Sequence, residues 1–261
     1  MPSVETAAVV PGGHSEVIEP AEKQLRAIAD RHGVRLVDGE GPADIAIVLG
    51  GDGTMLRALT RFRGTDVPVL GVNFGRVGFL TAIAPADMED GLARVFAGDY
   101  SVIRLPTLEV EVGGKTHVAV NDAVITSGTI GRIVELGYSL RDEDLGSQRC
   151  DGLVCATPQG STAYNLSNGG PVLVWGLDAM VLTFVAPHSL HVRPLVVARG
   201  PDLTVTNNSP DLPTTVIVDG HEVGSLAPGD HVVVRIGARD CLLATLPDVT
   251  FFTRYAAAFG R

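Results

Sequence analysis

The chain has 261 residues, 45% of them hydrophobic and only 5% aromatic, enough for one large or two small domains with aliphatic cores. Its 30 acidic and 20 basic residues give a formal net charge of −10, and only Lys23 and Lys115 are lysines. A chain this acidic, with no basic block, is a poor nucleic-acid binder, and no run of about 18 uncharged apolar residues offers a membrane span.

The start, "MPSVETAAVVPGGHSEV", lacks a basic region followed by a long apolar one, which argues against a secretory signal. Cys150, Cys155 and Cys241 show no C-x-x-C spacing and do not cluster with histidines at zinc-ligand spacing. They are expected to be buried thiols in a reducing cytoplasm.

From residue 21 to about 100, helix-like and strand-like runs alternate. "AEKQLRAIADRHG" has helical spacing and Gly33 as a stop, and "ADIAIVLGG" reads as a buried strand. "TMLRALTRF" is a short helix pattern opened by Thr54, "DVPVLGVNFG" a second apolar strand, and "PADMEDGLARVFAGD" a helix with an acidic first turn. This order implies a parallel sheet with crossover helices.

After residue 100 the period becomes two. "TLEVEVGGKTHVAV" alternates around a Gly-Gly turn, and "TTVIVDGHEVGSLAPGDHVVVRIG" repeats the pattern with Asp-Gly and Pro-Gly turns. "MVLTFVAP", "PLVVARG", "LTVTNN" and "CLLATLP" are further short strands, as in an antiparallel sandwich. The expected fold is α/β plus all-β: a doubly wound α/β domain over 1–100, with 247–261 packing back on it, and a β-sandwich over 101–246.

"IVLGGDGTML", Ile47–Leu56, is the first candidate for chemistry. Glycines directly after a strand let a backbone approach a ligand, and the N–H groups opening the next helix suit anions. Asp52, set among Gly51 and Gly53, either closes a turn or takes a proton from an attacking hydroxyl beside a phosphate. Arg57, one turn on, meets a phosphate or solvent. "LGVNFGRVGFL" is a second strand-to-glycine exit, with Asn73 and Phe74 at its edge. Ligands in doubly wound sheets sit at such carboxyl ends. The Gly-Lys-Thr around Lys115 is no P-loop, because the required earlier glycine is Glu109. Asn121 and Asp122 place two polar groups at an apolar strand, where they either cap a turn or read a nucleoside edge. "CDGLVCATPQGSTAYNLSNGGPVL" runs from a buried strand into a hydroxyl-rich turn, a device for anions or polar edges, with Tyr164 able to stack on a base or fill the core.

"GGDGTMLRA", "GVNFGRVGFLT", "VNDAVI", "DGLVCATPQGSTAYNLSNGGP" and "PHSLHVRPLVV" occur in one order, and together they resemble the NAD kinase family over about residues 43–254. The resemblance implies an N-terminal α/β domain and a C-terminal β-sandwich. It also implies phosphoryl transfer from ATP or polyphosphate, with Mg²⁺, to the 2′-hydroxyl of the adenosine ribose of NAD. Asp52 would be the general base, and Gly51, Gly53 and Arg57 would serve phosphates. Asn121 and Asp122 would bind the dinucleotide, and Asp151 would lie near its nicotinamide end. Thr162, Ala163, Tyr164, Asn165 and Ser167 would hold adenine and its ribose. His221 would also contact the dinucleotide, although glutamine is frequent there. Arg132 and Arg149 would supply basic contacts, sometimes from a neighbouring subunit. Gln159 and His191-Val192 depart from the family pattern without removing a residue assigned to chemistry. The implied partners are nucleotides and further copies of the chain, as a homodimer or homotetramer, with no nucleic acid and no membrane. A lipid kinase sharing the Gly-Gly-Asp-Gly turn and an NADP(H)-binding sensor without turnover are the alternatives.

Overall fold

The computed structural model describes the chain except for residues 14–15, 39–40, 76–77, 130 and 261. It begins with β1 (Thr6–Pro11), α1 (Ile18–His32), β2 (Arg35–Asp38), β3 (Ile45–Gly50), α2 (Asp52–Arg61), β4 (Val69–Asn73), α3 (Met88–Phe96) and β5 (Ser101–Leu105). Next come β6 (Leu108–Val112), β7 (Lys115–Ala119), β8 (Asp122–Ser127), β9 (Val134–Leu140), β10 (Glu143–Cys150), β11 (Gly152–Ala156) and the single turn α4 (Tyr164–Ser167). Then follow β12 (Ala179–Val185), β13 (Leu195–Ala198), β14 (Leu203–Asn207), β15 (Thr214–Val218), β16 (His221–Leu226) and β17 (His231–Ile236), and the chain closes with β18 (Cys241–Thr245) and α5 (Phe251–Phe259). Two compact units result: Met1–Arg104 with Cys241–Arg261, and Leu105–Asp240.

The first unit is a sheet in the order β2-β1-β3-β4-β18-β5, with the pairs from β2 through β18 parallel. Every residue of β3 is buried, which is why "IAIVLG" reads as an unbroken apolar run: a parallel strand is covered on both faces. Ile45, Ile47 and Leu49 pack with Leu25 and Ile28 of α1 and with Met88 and Leu92 of α3. Gly71 alternates with Leu70 and Val72 on β4, so it faces the other side. There the sulfur of Met55 on α2 lies 2.6 Å from where a Cβ on Gly71 would sit. Helices therefore cover both faces, and the unit is doubly wound. Gly33, at φ +69°, stops α1 as expected.

Two expectations need correction here. The helix after β3 opens at Asp52, not at Thr54; extended Gly51 is its N-cap and Thr54 is buried within the first turn. "CLLATLP" does not belong to the sandwich. Its Leu243 pairs in parallel with Val69 of β4, and Leu243 and Ala244 are fully buried. A strand buried on both faces of a parallel sheet and a short sandwich strand are both brief apolar runs. The second crossing between units thus falls after Asp240 rather than after residue 246.

The second unit holds two six-stranded sheets, β10-β9-β14-β17-β6-β7 and β13-β12-β11-β8-β15-β16. Its strand pairs are antiparallel. Leu108, Val110 and Leu203 of the first sheet pack with Ile125, Leu153 and Leu182 of the second, so the core lies between them. Lys115 follows Gly113 and Gly114, at φ +57° and +74°, in the hairpin joining β6 and β7. The three cysteines are buried. Burial pushes the thiols of Cys150 and Cys155 up to about 12, which makes them poor nucleophiles. Among the described residues no helix is long and apolar enough to cross a membrane.

Candidate functional site

In the first unit, β1 and β3 are neighbours while their following helices leave in opposite directions across the sheet, the switch point at which open α/β sheets accept ligands. Gly12, after β1, donates its N–H to the Leu49 carbonyl at 2.8 Å. The loops after β3 and β4 touch: a Cβ on Gly51 would lie 3.1 Å from the Gly75 Cα, and one on Gly75 only 2.9 Å from the Gly51 Cα. A side chain at Gly75 would force the backbones apart, and one at Gly51 would meet a tight contact.

Asp52 occupies the first helical position of α2, where the opening N–H groups lack intrahelical acceptors. Its side chain is committed across the loop. Leu80 N–H donates to Oδ1 at 3.0 Å and Phe79 N–H to Oδ2 at 3.1 Å. Each carboxylate oxygen keeps a further lone pair, so the group is fixed in orientation and still able to accept a proton. Asn73 and Phe74 shape this loop. The Asn73 Oδ1 accepts Gly75 N–H at 3.0 Å, and Phe74 N–H donates to the Gly50 carbonyl at 3.0 Å. Gly53 is exposed, as is Arg57, whose Nη2 donates to Thr54 Oγ1 at 3.3 Å.

In the second unit, Asp122 opens β8 and Asn121 directly precedes it. Their backbone is clamped from two sides. Asp219 Oδ1 accepts the N–H groups of Asn121 (2.8 Å) and Asp122 (3.1 Å), and its Oδ2 accepts that of Val120 (2.8 Å). From the turn after β11, Thr157 Oγ1 donates to the carbonyls of Val120 (2.7 Å) and Asn121 (3.1 Å), and Gln159 Nε2 donates to Val120 O at 2.6 Å. A Cβ on Gly160 would lie 2.0 Å from the Asn121 carbonyl oxygen, so only glycine passes there. Amid these bonds the Asn121 Oδ1 is buried with no hydrogen-bond partner among the described residues. The Gln159 Oε1 of the same clamp is likewise buried without a partner among the described residues, and an orphaned buried acceptor costs about 1–3 kcal/mol, which a donor brought to it would recover. Burial, and then the nearby Asp219 charge, push Asp122 up to about 7. Burial raises Asp219 as well, against the lowering effect of its three amide donors.

Thr162 and Ala163 are half-buried beside this clamp, Ser167 is exposed, and the Tyr164 ring is 45% exposed. Asn165 departs from expectation. It is fully buried, its Nδ2 donates to Ser161 O (2.9 Å) and Pro171 O (3.1 Å), and its Oδ1 accepts from Thr183 Oγ1 (2.7 Å). Its amide knits the turn together: both Nδ2 hydrogens are used, and Oδ1 is fully buried against Thr183. His221 is exposed, its Nδ1 3.1 Å from the Asp219 carbonyl.

Arg132, Arg149 and Asp151 are not brought to this cluster. The Asp151 carbonyl accepts Ser127 N–H at the far end of β8, about 17 Å from Asp122 at the usual rise per residue. Arg132 and Arg149 line a separate cavity of about 320 Å³ with Glu135 and Asp211. Sequence reasoning missed Asp219, whose available signal was an Asp-Gly turn, and Arg254, which is bonded to the loop beside Asp52.

Comparison with known proteins also finds two parts, the second reaching six residues past the crossing at Asp240. Residues 14–100 match the ATP-NAD kinase N-terminal domain and residues 120–246 the ATP-NAD kinase C-terminal domain. The chain is 38% identical over 245 residues to an NAD kinase of Gemmatimonas aurantiaca, covering 92% of this chain and 84% of that protein. It is 39% identical over 236 residues to an NAD kinase of Tolumonas auensis, covering 88% and 80%. Among solved structures, an NAD kinase from Archaeoglobus fulgidus in complex with ATP superposes with a TM-score of 0.79 at 25% identity, covering 98% of this chain and 97% of that one. Yeast NADH kinase complexed with NADH shares the fold at a TM-score of 0.84 and 22% identity, covering 99% and 88%.

Proposed function

This chain belongs to the NAD kinase family, and from that premise we propose that it transfers the terminal phosphoryl group of ATP to the 2′-hydroxyl of the adenosine ribose of NAD, giving NADP. The observation that carries this reading is the Asp52 carboxylate, held by two backbone amides at the start of a helix that follows a glycine exit. A ribose hydroxyl is far too weak an acid to ionise unaided at neutral pH. Asp52 takes its proton as the oxygen attacks; the new P–O bond forms to the 2′-oxygen while the bond to the ADP leaving group breaks. Glycine amides and Arg57 hold donor phosphates in place of a P-loop lysine.

Among the described residues no group of three acidic, histidine or cysteine side chains is placed to hold a metal. Magnesium would enter with the donor, as part of the substrate MgATP, and would offset the charge of its phosphates. Asn121, through its orphaned Oδ1, and Asp122 bind the dinucleotide, with Thr162, Ala163, Tyr164, Ser167 and His221 around it. Asp151, at the other end of β8, lies near the nicotinamide end of the dinucleotide, and Arg132 and Arg149 supply basic contacts from a second copy of the chain, in a homodimer or homotetramer. The setting is the cytoplasm, consistent with buried thiols and the absence of a membrane-length apolar helix among the described residues.

The test is product identification: NAD with MgATP gives NADP, and an NAD analogue lacking the adenosine 2′-hydroxyl gives none. Failure with ATP, polyphosphate and either NAD or NADH would overturn the kinase reading in favour of an NADP(H)-binding sensor. A fully active monomer by light scattering would overturn the role of the second copy.

A further inference from the structure

The segment Gly78–Leu80 is gripped on both sides. Its N–H groups face Asp52: Phe79 N–H reaches Oδ2 and Leu80 N–H reaches Oδ1. Its carbonyls face α5: Arg254 Nη1 donates to Gly78 O at 3.1 Å and to Phe79 O at 2.7 Å. The Gly78 carbonyl and the Phe79 N–H belong to one peptide plane, and the Phe79 carbonyl and the Leu80 N–H to the next. One guanidinium nitrogen therefore holds the carbonyl ends of the two peptide groups whose amide ends hold the carboxylate.

We propose that Arg254 is a positioning residue for Asp52, acting through these two peptide groups. The inference rests on the reading of Asp52 as the base. A planar peptide bonded at both ends cannot rotate without breaking a bond on each side. A cation on its carbonyl also polarises its N–H into a stronger donor. Two such peptides fix the plane of the Asp52 carboxylate and so the direction of its remaining lone pairs.

The surroundings support a dedicated arrangement. Burial lowers Arg254 to about 10, opposed by the Asp52 charge, so it remains a cation at neutral pH and senses that carboxylate. The Phe79 ring packs at 6.1 Å from Phe251 and 6.3 Å from Phe259, on either side of Arg254 along α5. A capping box fixes the start of α5, with Thr253 N–H donating to Thr250 Oγ1 and Thr250 N–H to Thr253 Oγ1. Residues 250–259 thus form a C-terminal brace whose one charged side chain lies on the loop of the base.

The test compares wild type, Asp52→Asn, Arg254→Met, Arg254→Lys and the double variant Asp52→Asn/Arg254→Met in the NADP-forming assay. Misplacing a catalytic group by about 1 Å costs roughly 100-fold, so Arg254→Met is expected to lose about 10–100-fold in kcat with KM values for NAD and ATP little changed. Arg254→Lys, which keeps the charge and guards against a folding defect, is expected to fall between wild type and the methionine variant. In the Asp52→Asn background, Arg254→Met is expected to cost little more, because the group it positions is already gone. Amide NMR supplies a readout apart from activity: the Phe79 and Leu80 resonances are expected to shift in Asp52→Asn and again in Arg254→Met. Unchanged kcat in Arg254→Met, a loss confined to KM, a full multiplicative loss in the double variant, or unmoved Phe79 and Leu80 amides would overturn the proposal. Inactive wild type would instead overturn the proposed function, and a fully active Asp52→Asn the assignment of the base.

Discussion

Asp52 in the first unit and Asp219 in the second both collect backbone amides from a distant stretch of chain, yet to opposite ends. Asp52 takes two N–H groups, and those amides hold the carboxylate. Asp219 takes three, and there the carboxylate holds the amides, fixing Val120–Asp122 in place. The first arrangement leaves a carboxylate with capacity to spare at a glycine-lined helix start. The second spends three of about four lone-pair sites on backbone amides and leaves Asp122 buried beside another acid. The same kind of hydrogen bond thus serves chemistry in the parallel unit and scaffolding in the sandwich.

Removing each acid separates the two roles, and the expected losses of stability fall in order. Asp219→Ala strands three amide donors and places alanine at φ +46°; it is expected to destabilise the protein by about 2–4 kcal/mol in urea unfolding. Asp219→Asn, which keeps an oxygen acceptor and tolerates the left-handed backbone, is expected to lose less. A loss for Asp219→Ala no larger than for a surface substitution would remove the scaffolding role.

Asp122 comes next. Its carboxyl is raised from 3.8 to about 7 in the folded protein. The folded state therefore binds the proton more tightly than the unfolded one. The stability this contributes is complete below the unfolded value and is lost as pH rises through about 7. Between pH 6 and 8 the loss is about 1 kcal/mol. Unfolding midpoints should fall across that interval in wild type, and Asp122→Asn should flatten the slope and be the more stable protein at pH 8. An unchanged slope would contradict the raised acid.

Asp52→Asn is expected to do least to the fold, within about 1 kcal/mol, since the asparagine oxygen keeps one of the two amides and the half-buried Phe79 amide can regain water, while Leu80 itself is buried. A large loss would make Asp52 a scaffold like Asp219.

The strands of both units were legible because their periods differ: unbroken apolar runs in "IAIVLG" and alternation in "LEVEV". β18 was not, because "CLLAT" carries neither its partner nor its sheet in its own pattern. At the site, Gly51, Asp52 and Asn121 were visible through their neighbours in sequence. Asp219 and Arg254 were not, for their partners lie 97–99 and 175–176 residues away. Only the fold reveals what those two side chains hold. Asn165 misled for the converse reason: it sits in the most informative stretch, but its amide is spent on Ser161, Pro171 and Thr183.

The most direct measurement is the turnover number of Asp52→Asn for NADP formation from NAD and MgATP, taken beside its unfolding midpoint. The expected result is a loss of at least about 100-fold in kcat with a near wild-type midpoint, since general-base catalysis contributes about 10²–10⁴-fold. Near-normal turnover in a folded Asp52→Asn would contradict the account of the carboxylate as the proton acceptor.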